Sequence, residues 1–331
     1  MNRVAVPLEL SPPAERPRGG AVIELGGPTM GVAWSVKALA PPDLDLAGVQ
    51  DGLQAQLNRV VAQMSPWEPQ SDISRFNGSS AGAWLDMAPA FNHVLSGALR
   101  WARASDGAFD PTAGRLVDLW GFGPAGPVDG PPDEAAVKAA LDASGWDRLA
   151  VEGSRAFQPG GLELDFSGIA KGFGVDEVSR ALNLMGLPDH LVEIGGELRG
   201  HGIKPDGEPW WVEIAAPPGV TLPGGPILLA LHGLAVATSG DYHRFLDHGG
   251  RRYAHTLDPR LGRPIDNAIR SVSVIHQTCM DADALSTALG VLGPLAGPEF
   301  ALKHDLAAYF LVDDGAGLRE ILSPKFEAML G

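Results

Sequence analysis

Cysteine is nearly absent: Cys279 is the single one in 331 residues, so no intrachain disulfide forms and a stapled secreted scaffold is excluded. Positive charge is scarce too. Lys and Arg number 25 against 40 Asp and Glu, a formal net charge of −15, which repels phosphate backbones and excludes a general nucleic-acid binder. No stretch approaches the ~20 apolar residues that cross a bilayer, so no membrane span is expected. The first twenty residues are broken by prolines and Glu15 and lack the apolar run of a secretory signal. A cytoplasmic location is therefore expected, although a chain trimmed of an export leader, and periplasmic, reads the same. No G-x-x-x-x-G-K-[ST] loop, H-E-x-x-H or Cys/His cluster occurs, so neither a P-loop nor a zinc site has support.

Glycine (43) and proline (28) are plentiful, which points to many turns and close backbone approaches rather than a helical bundle. Hydrophobic residues at 45% and charged residues at 20% suffice for a sizeable core. Residues 1–20 read as a Pro/Arg-rich flexible tail. Residues 21–27 and 32–39 read as two strands joined by the loop PTMG. Apolar residues three or four apart predict helices over 45–64 and about 89–104, and a third follows Pro131-Pro132 and stops at Gly145. Further on, LELDF (162–166), HLVEIGG (190–196), WWVEIAA, ILLALHG, LAVAT, SVSVI and AAYFLV (307–312) read as strands. Helices fall at about 169–185 and 281–291. Without a regular βαβ period and without a dividing linker, 21–331 reads as one compact α+β domain with mixed or antiparallel sheets flanked by helices.

Chemistry concentrates in a few segments. In DFSGIAKGFGVDEV (165–178) a strand ends at Asp165, and Lys171 falls in the first turn of a helix. The helix dipole disfavours a lysine there, so its placement suggests a negative ligand; the plainer reading is a capped helix with a solvated lysine. In TCMDADALSTALGVLG (278–293), Asp283 and Thr287 share one helix face with Ser286 alongside, hard oxygens suited to Mg²⁺. The alternative there is an acidic first turn facing solvent. SGDYHRFLDHGGRRYAHTLDPRLGRP (239–264) offers His255, the one side-chain type that normally titrates near neutrality and so suits proton transfer. MSPWEPQSDISRFN (64–77) places Trp67 and Phe76 in a polar loop, where Trp67 makes either a flat wall for a heteroaromatic ring or a packing lid. AFDPTAGRLVDLWGFGP (108–124) carries a turn-forming Asp-Pro and Trp120, read as packing.

Together with PTMG (28–31), LVEIGGELRGHG (191–202) and ATSGDY (237–242), these segments, in this order over about 28–293, resemble the FAD:protein FMN transferase (ApbE-type) family. The resemblance implies an ApbE-like fold and a Mg²⁺-dependent enzyme. Such an enzyme transfers the FMN half of FAD to a Thr or Ser hydroxyl of an acceptor flavoprotein and releases AMP. It further implies that Met30 and Trp67 border the flavin, and that Ala108, Phe109, Asp110, Asp165, Lys171 and Leu257 contact FAD. Asp283, Thr287, the carbonyl of Gly168 and the position of Ser286 would hold the metal, and His255 would act as base. Ser286 stands where some members of that family carry Asp, and Trp67 where Tyr is commoner. Two other functions remain open on the same residues: a Mg²⁺-dependent FAD pyrophosphatase, and a non-catalytic flavin carrier. The acceptor's identity and the oligomeric state are not legible.

Overall fold

Eight strands form the main sheet, and their order in space is their order in the chain. They are β1 (Ala21–Thr29), β2 (Val32–Ala40), β3 (His190–Ile194), β4 (Glu197–His201), β5 (Leu234–Gly240), β6 (Ile269–His276), β7 (Ala307–Asp313) and β8 (Leu318–Leu322), every neighbouring pair antiparallel. The computed structural model describes residues 3–9, 20–240, 244–313, 315 and 317–330. Asp241 and Tyr242 of the ATSGDY segment lie outside the described residues, as do residues 10–19 of the expected tail.

The chain leaves this meander for helices. Between β2 and β3 it builds α1 (Leu46–Met64), α2 (Asp72–Asn77), α3 (Pro89–Ala104), α4 (Gly114–Leu119), α5 (Glu134–Ala143) and α6 (Ala170–Leu184); α7 (Cys279–Lys303) joins β6 to β7, and α8 (Pro324–Met329) ends the fold. Strand β7 explains the layering. Ala308, Phe310 and Val312 pack with Leu285 and Leu289 of α7, whereas Ala307, Tyr309 and Leu311 pack with Trp210, Ile227 and Phe326 on the opposite face. The run is apolar at every position because both faces of the sheet are covered. Helices α1, α6 and α7 form one outer layer. The other is a small sheet of Trp210–Glu213, Ile227–Leu231 and Arg3–Ala5, together with α8.

That last strand differs from the sequence expectation. Residues 3–5 were expected in a flexible tail, yet they pair in parallel with Ile227–Leu229, Ala5 is buried, and Arg3 is held by Glu320. LELDF is not a strand either. Only an isolated bridge forms, Ala113 with Glu163, because side chains replace the neighbouring strand. The amide of Asn77 bonds both backbone groups of Leu164, and the amide of Gln158 bonds both of Leu162. Phe76, expected in a loop, is fully buried on α2, which Ser71 caps at its N-terminus.

Helix α7 runs past the predicted end at 291. It breaks at Gly293, whose φ of 79° stops one helical segment, and restarts at Pro294, which suits a first helical position. By length and composition this helix passes for a membrane span, with mean hydropathy 1.2, but 56% of that stretch is buried inside the protein, as in a core helix.

Candidate active site

The starts of α6 and α7 lie against each other, and small residues permit it. A Cβ placed on Gly172 would stand 2.2 Å from the Cys279 carbonyl oxygen and 2.8 Å from the Asp283 Cβ. A Cβ on Gly168 would stand 3.2 Å from Thr287 Oγ1. The two pairs are in step, since four residues separate Gly168 from Gly172 and Asp283 from Thr287. The i, i+4 face expected on α7 therefore faces the turn that leads into α6. Asp283 is buried, and its Oδ2 accepts the N–H of Gly172 at 2.9 Å, capping α6, which has no side-chain cap of its own. Asp176 of α6 returns the arrangement. Its carboxylate accepts the N–H groups of Cys279 (3.0 Å) and Met280 (2.9 Å) at the start of α7 and pairs with Arg199 of β4.

Lys171 occupies the first turn of α6, as expected, but its anion is in the first instance a protein group. Its ammonium pairs with Glu197, the first residue of β4 and only 3% exposed. Burial opposes the charged lysine, yet Asp283 and Glu197 more than offset it and hold the pKa above its ordinary value. Burial raises both carboxyls, and Lys171 counters it in each. Glu197 lies within LVEIGGELRGHG, a segment in which the sequence reading gives no single residue a role. An acidic residue directly after a Gly-Gly turn, at the first position of a strand, is the available signal.

Around this cluster stand hydroxyls. Ser239, near the end of β5, bridges Ser286 Oγ (2.7 Å) and Thr287 Oγ1 (3.2 Å), and Ser286 also donates to the carbonyl of Asp283 at 2.9 Å. Ser239 is a second residue that sequence reasoning missed. One carboxylate with two hydroxyls and the nearby Gly168 backbone is a hard-oxygen set that fits Mg²⁺, which keeps several waters and takes few protein ligands. Among the described residues no group of three or more His, Cys, Asp or Glu is placed to hold a metal.

The AFDP segment joins from the other side. The Phe109 ring would touch a Cβ on Gly168 at 3.3 Å, and Asp165 N–H donates to the Pro111 carbonyl at 2.8 Å. Ala108 is buried. Asp110 is consumed by its own turn, accepting from Thr112 N–H (2.8 Å), Thr112 Oγ1 (2.6 Å) and Trp146 N–H (3.2 Å). Asp165 likewise accepts from Ser167 N–H at 2.7 Å, and burial raises its pKa.

His255 is tied to the backbone of Arg244. Its Nδ1 bonds the Arg244 carbonyl at 3.0 Å, and because a carbonyl only accepts, the ring proton sits on Nδ1 and the basic lone pair on Nε2. The Arg244 charge is felt by Asp165. Five residues separate Arg244 from Ser239, a span of at most about 18 Å. The Phe122 ring lies edge-on to His255, and a concavity of about 290 Å³ bordered by Trp120, Phe122, Arg244 and Phe245 adjoins it. A larger groove of about 690 Å³ follows Tyr253, Leu261, Pro264 and Gly293. It includes none of Lys171, Asp283 and Thr287, and Gly293 lies ten residues along α7 from Asp283, about 15 Å. Leu257 packs among Leu116, Trp120, Phe122 and Ala140, a core residue whose side chain is not presented to the cluster.

Met30 and Trp67 complete the placement. Met30 and Gly31 are the two-residue turn between β1 and β2, both with positive φ (47° and 74°). Methionine in that conformation is strained, a feature that concentrates at functional positions. Its methyl packs against Gly174, one turn beyond Lys171. Trp67 rides on a loop tied down by Ser71 and Ser74 to the carbonyls of Ser65 and Pro66, and its side chain stands 49% exposed.

Fold and site together define a class: an α+β enzyme whose antiparallel sheet carries a lysine–carboxylate cluster beside a set of hard oxygens. The chain matches the model of the ApbE family over residues 30–310. It is 35% identical over 310 residues to a Vibrio cholerae protein named FAD:protein FMN transferase, covering 93% of this chain and 92% of that one. It is 33% identical over 318 residues to the Haemophilus influenzae protein of the same name, covering 93% and 91%. The fold is similar to that of the Pseudomonas stutzeri flavinyl transferase ApbE in its apo form, with TM-score 0.87 and 37% identity over 94% of this chain and 97% of that one. The Vibrio cholerae flavin transferase ApbE gives TM-score 0.85 and 34% identity, covering 94% and 99%. This chain belongs to the ApbE family.

Proposed function

We propose that this chain transfers the FMN half of FAD to a threonine or serine hydroxyl of an acceptor flavoprotein and releases AMP. The observation that carries the reading is the meeting of the α6 and α7 starts, which sets Lys171, Asp283, Thr287 and the Gly168 backbone around one point. In the reaction the acceptor oxygen forms a bond to the FMN phosphorus, the P–O bond to AMP breaks, and the hydroxyl proton goes to His255 Nε2. Asp283, Thr287 and the Gly168 carbonyl would hold Mg²⁺, which when bound neutralises diphosphate charge. Ser286, whose hydroxyl proton is directed at the Asp283 carbonyl, supports Thr287 through Ser239. Lys171 supplies fixed positive charge along the diphosphate. Phe109, Met30 and the exposed face of Trp67 offer apolar walls for the flavin. Asp110, Asp165 and Leu257 shape the surrounding turns, so their contacts with FAD run through the backbone they hold.

The test is incubation with FAD, Mg²⁺ and a candidate acceptor, followed by intact-mass measurement of the acceptor. An added FMN phosphoryl mass on one Thr or Ser is expected. Steady AMP release without acceptor would instead identify an FAD pyrophosphatase, and FAD binding with neither product would identify a flavin carrier.

A further inference from the structure

We infer that Glu197 is a positioning residue that holds Lys171 away from Asp283 and so keeps Asp283 available to the cation. The inference rests on the reading of Asp283 as a cation ligand. Glu197 is delivered by a two-residue hairpin turn, Gly195-Gly196, both with positive φ (60° and 102°), in which Ile194 pairs with Glu197. That turn, a geometry glycine adopts without strain, sends the first side chain of β4 inward beneath the start of α6.

The residue is expensive where it stands. Its Oε1 takes the Lys171 ammonium, while its Oε2 is buried with no hydrogen-bond partner among the described residues. A buried carboxylate with one unmet oxygen costs stability, so fold stability does not explain its presence. The Lys171 ammonium lies in the field of two carboxylates, Glu197 and Asp283. With Asp283 as the sole carboxylate in reach, the ammonium and a dication would compete for one negative group. Glu197 gives the lysine its own counter-ion. Asp283 is then left to meet an entering dication. Lys171 stays charged and ordered beside the diphosphate path afterwards. Outer groups of this kind typically alter metal affinity by about 10–100-fold.

The test is Mn²⁺ titration of the chelator-treated chain, followed by electron paramagnetic resonance without any substrate. Folding of each variant is checked by its thermal unfolding midpoint. Glu197→Gln is expected to weaken Mn²⁺ binding about 10–100-fold, and Glu197→Asp, which keeps the charge, to recover most of the loss. In a Lys171→Met background, Glu197→Gln is expected to add almost nothing, because its effect runs through the lysine. Parental Mn²⁺ affinity in Glu197→Gln, with Asp283→Ala abolishing binding, would overturn the positioning role alone. An undiminished effect in the Lys171→Met background would also overturn it. Parental affinity in Asp283→Ala would overturn the cation-site reading itself. Should Glu197→Gln fail to fold, Lys171→Met/Glu197→Gln, which removes both charges of the pair, is compared with Lys171→Met: equal Mn²⁺ affinity supports the role, and a further loss of about 10-fold or more overturns it.

Discussion

His255 has its tautomer fixed by a backbone carbonyl, so the basic nitrogen is the one turned away from Arg244. His255→Ala is expected to lower the rate of acceptor flavinylation by about 10²–10⁴-fold while FAD binding by fluorescence quenching stays near parental. Loss of FAD binding in that variant would mean that the ring holds substrate rather than the proton. Trp67 is large and half-exposed on its tied loop. If its ring keeps water from the activated phosphorus, Trp67→Ala raises free FMN released per turnover, read by chromatography; unchanged release at equal FAD binding contradicts that role. His190 is a different kind of histidine. It is fully buried, Nε2 shares a hydrogen with Ser179 Oγ at 2.7 Å, Nδ1 bonds the Leu187 carbonyl, and burial lowers its pKa to about 4. Since the folded pKa is depressed, the unfolded chain binds the proton more readily. The stability contribution is thus complete above about pH 6.5 and lost as pH falls toward 4, on the order of 3 kcal/mol. His190→Gln is expected to flatten the fall in unfolding midpoint over that window, and an equal slope would contradict the assignment.

The elements most legible in the sequence were those with a repeating pattern: α1 and α3 from their apolar stripes, β1 and β2 on either side of PTMG, and the unbroken apolar run of β7. What escaped the pattern was structure made by side chains. LELDF has a strand's composition, but Asn77 and Gln158, distant or bent back in sequence, take its backbone groups. The strand at residues 3–5 depends on a partner more than 200 residues away and leaves no local trace. Within the site, Lys171, Asp283 and Thr287 were visible through spacing on helices. Glu197 and Ser239 were not, since a single residue at the edge of a strand has no period. The α6–α7 junction depends on Asp176, which caps the start of α7 and pairs with Arg199. Asp176→Ala removes the acceptor of the Cys279 and Met280 N–H groups, with Thr278 still capping Asp281 N–H, and leaves Arg199 only its bond to the Gln277 carbonyl. It is expected to cost about 1–2 kcal/mol in denaturant unfolding and to slow transfer by loosening the helix that carries Asp283. A stable variant with parental activity would separate that cap from the site.

Across the whole molecule, a net charge of −15 works against an anionic dinucleotide, so the site must supply its own positive potential. In the function proposed above, Lys171 and a bound dication would be the means. Chelation by EDTA is therefore expected to abolish transfer and added Mg²⁺ to restore it, as followed by acceptor mass; activity that survives exhaustive chelation would contradict a cation requirement. The sheet serves this end by topology. Its strands run in chain order, and the excursions between β2 and β3 and between β6 and β7 return α6 and α7 to the same face, where their starts meet. That meeting is tested most directly by the initial rate of acceptor flavinylation in Asp283→Ala, at saturating FAD and Mg²⁺, against the parent. A folded variant that leaves the acceptor mass unshifted over many parental turnovers is the expected result, and flavinylation at the parental rate would contradict it.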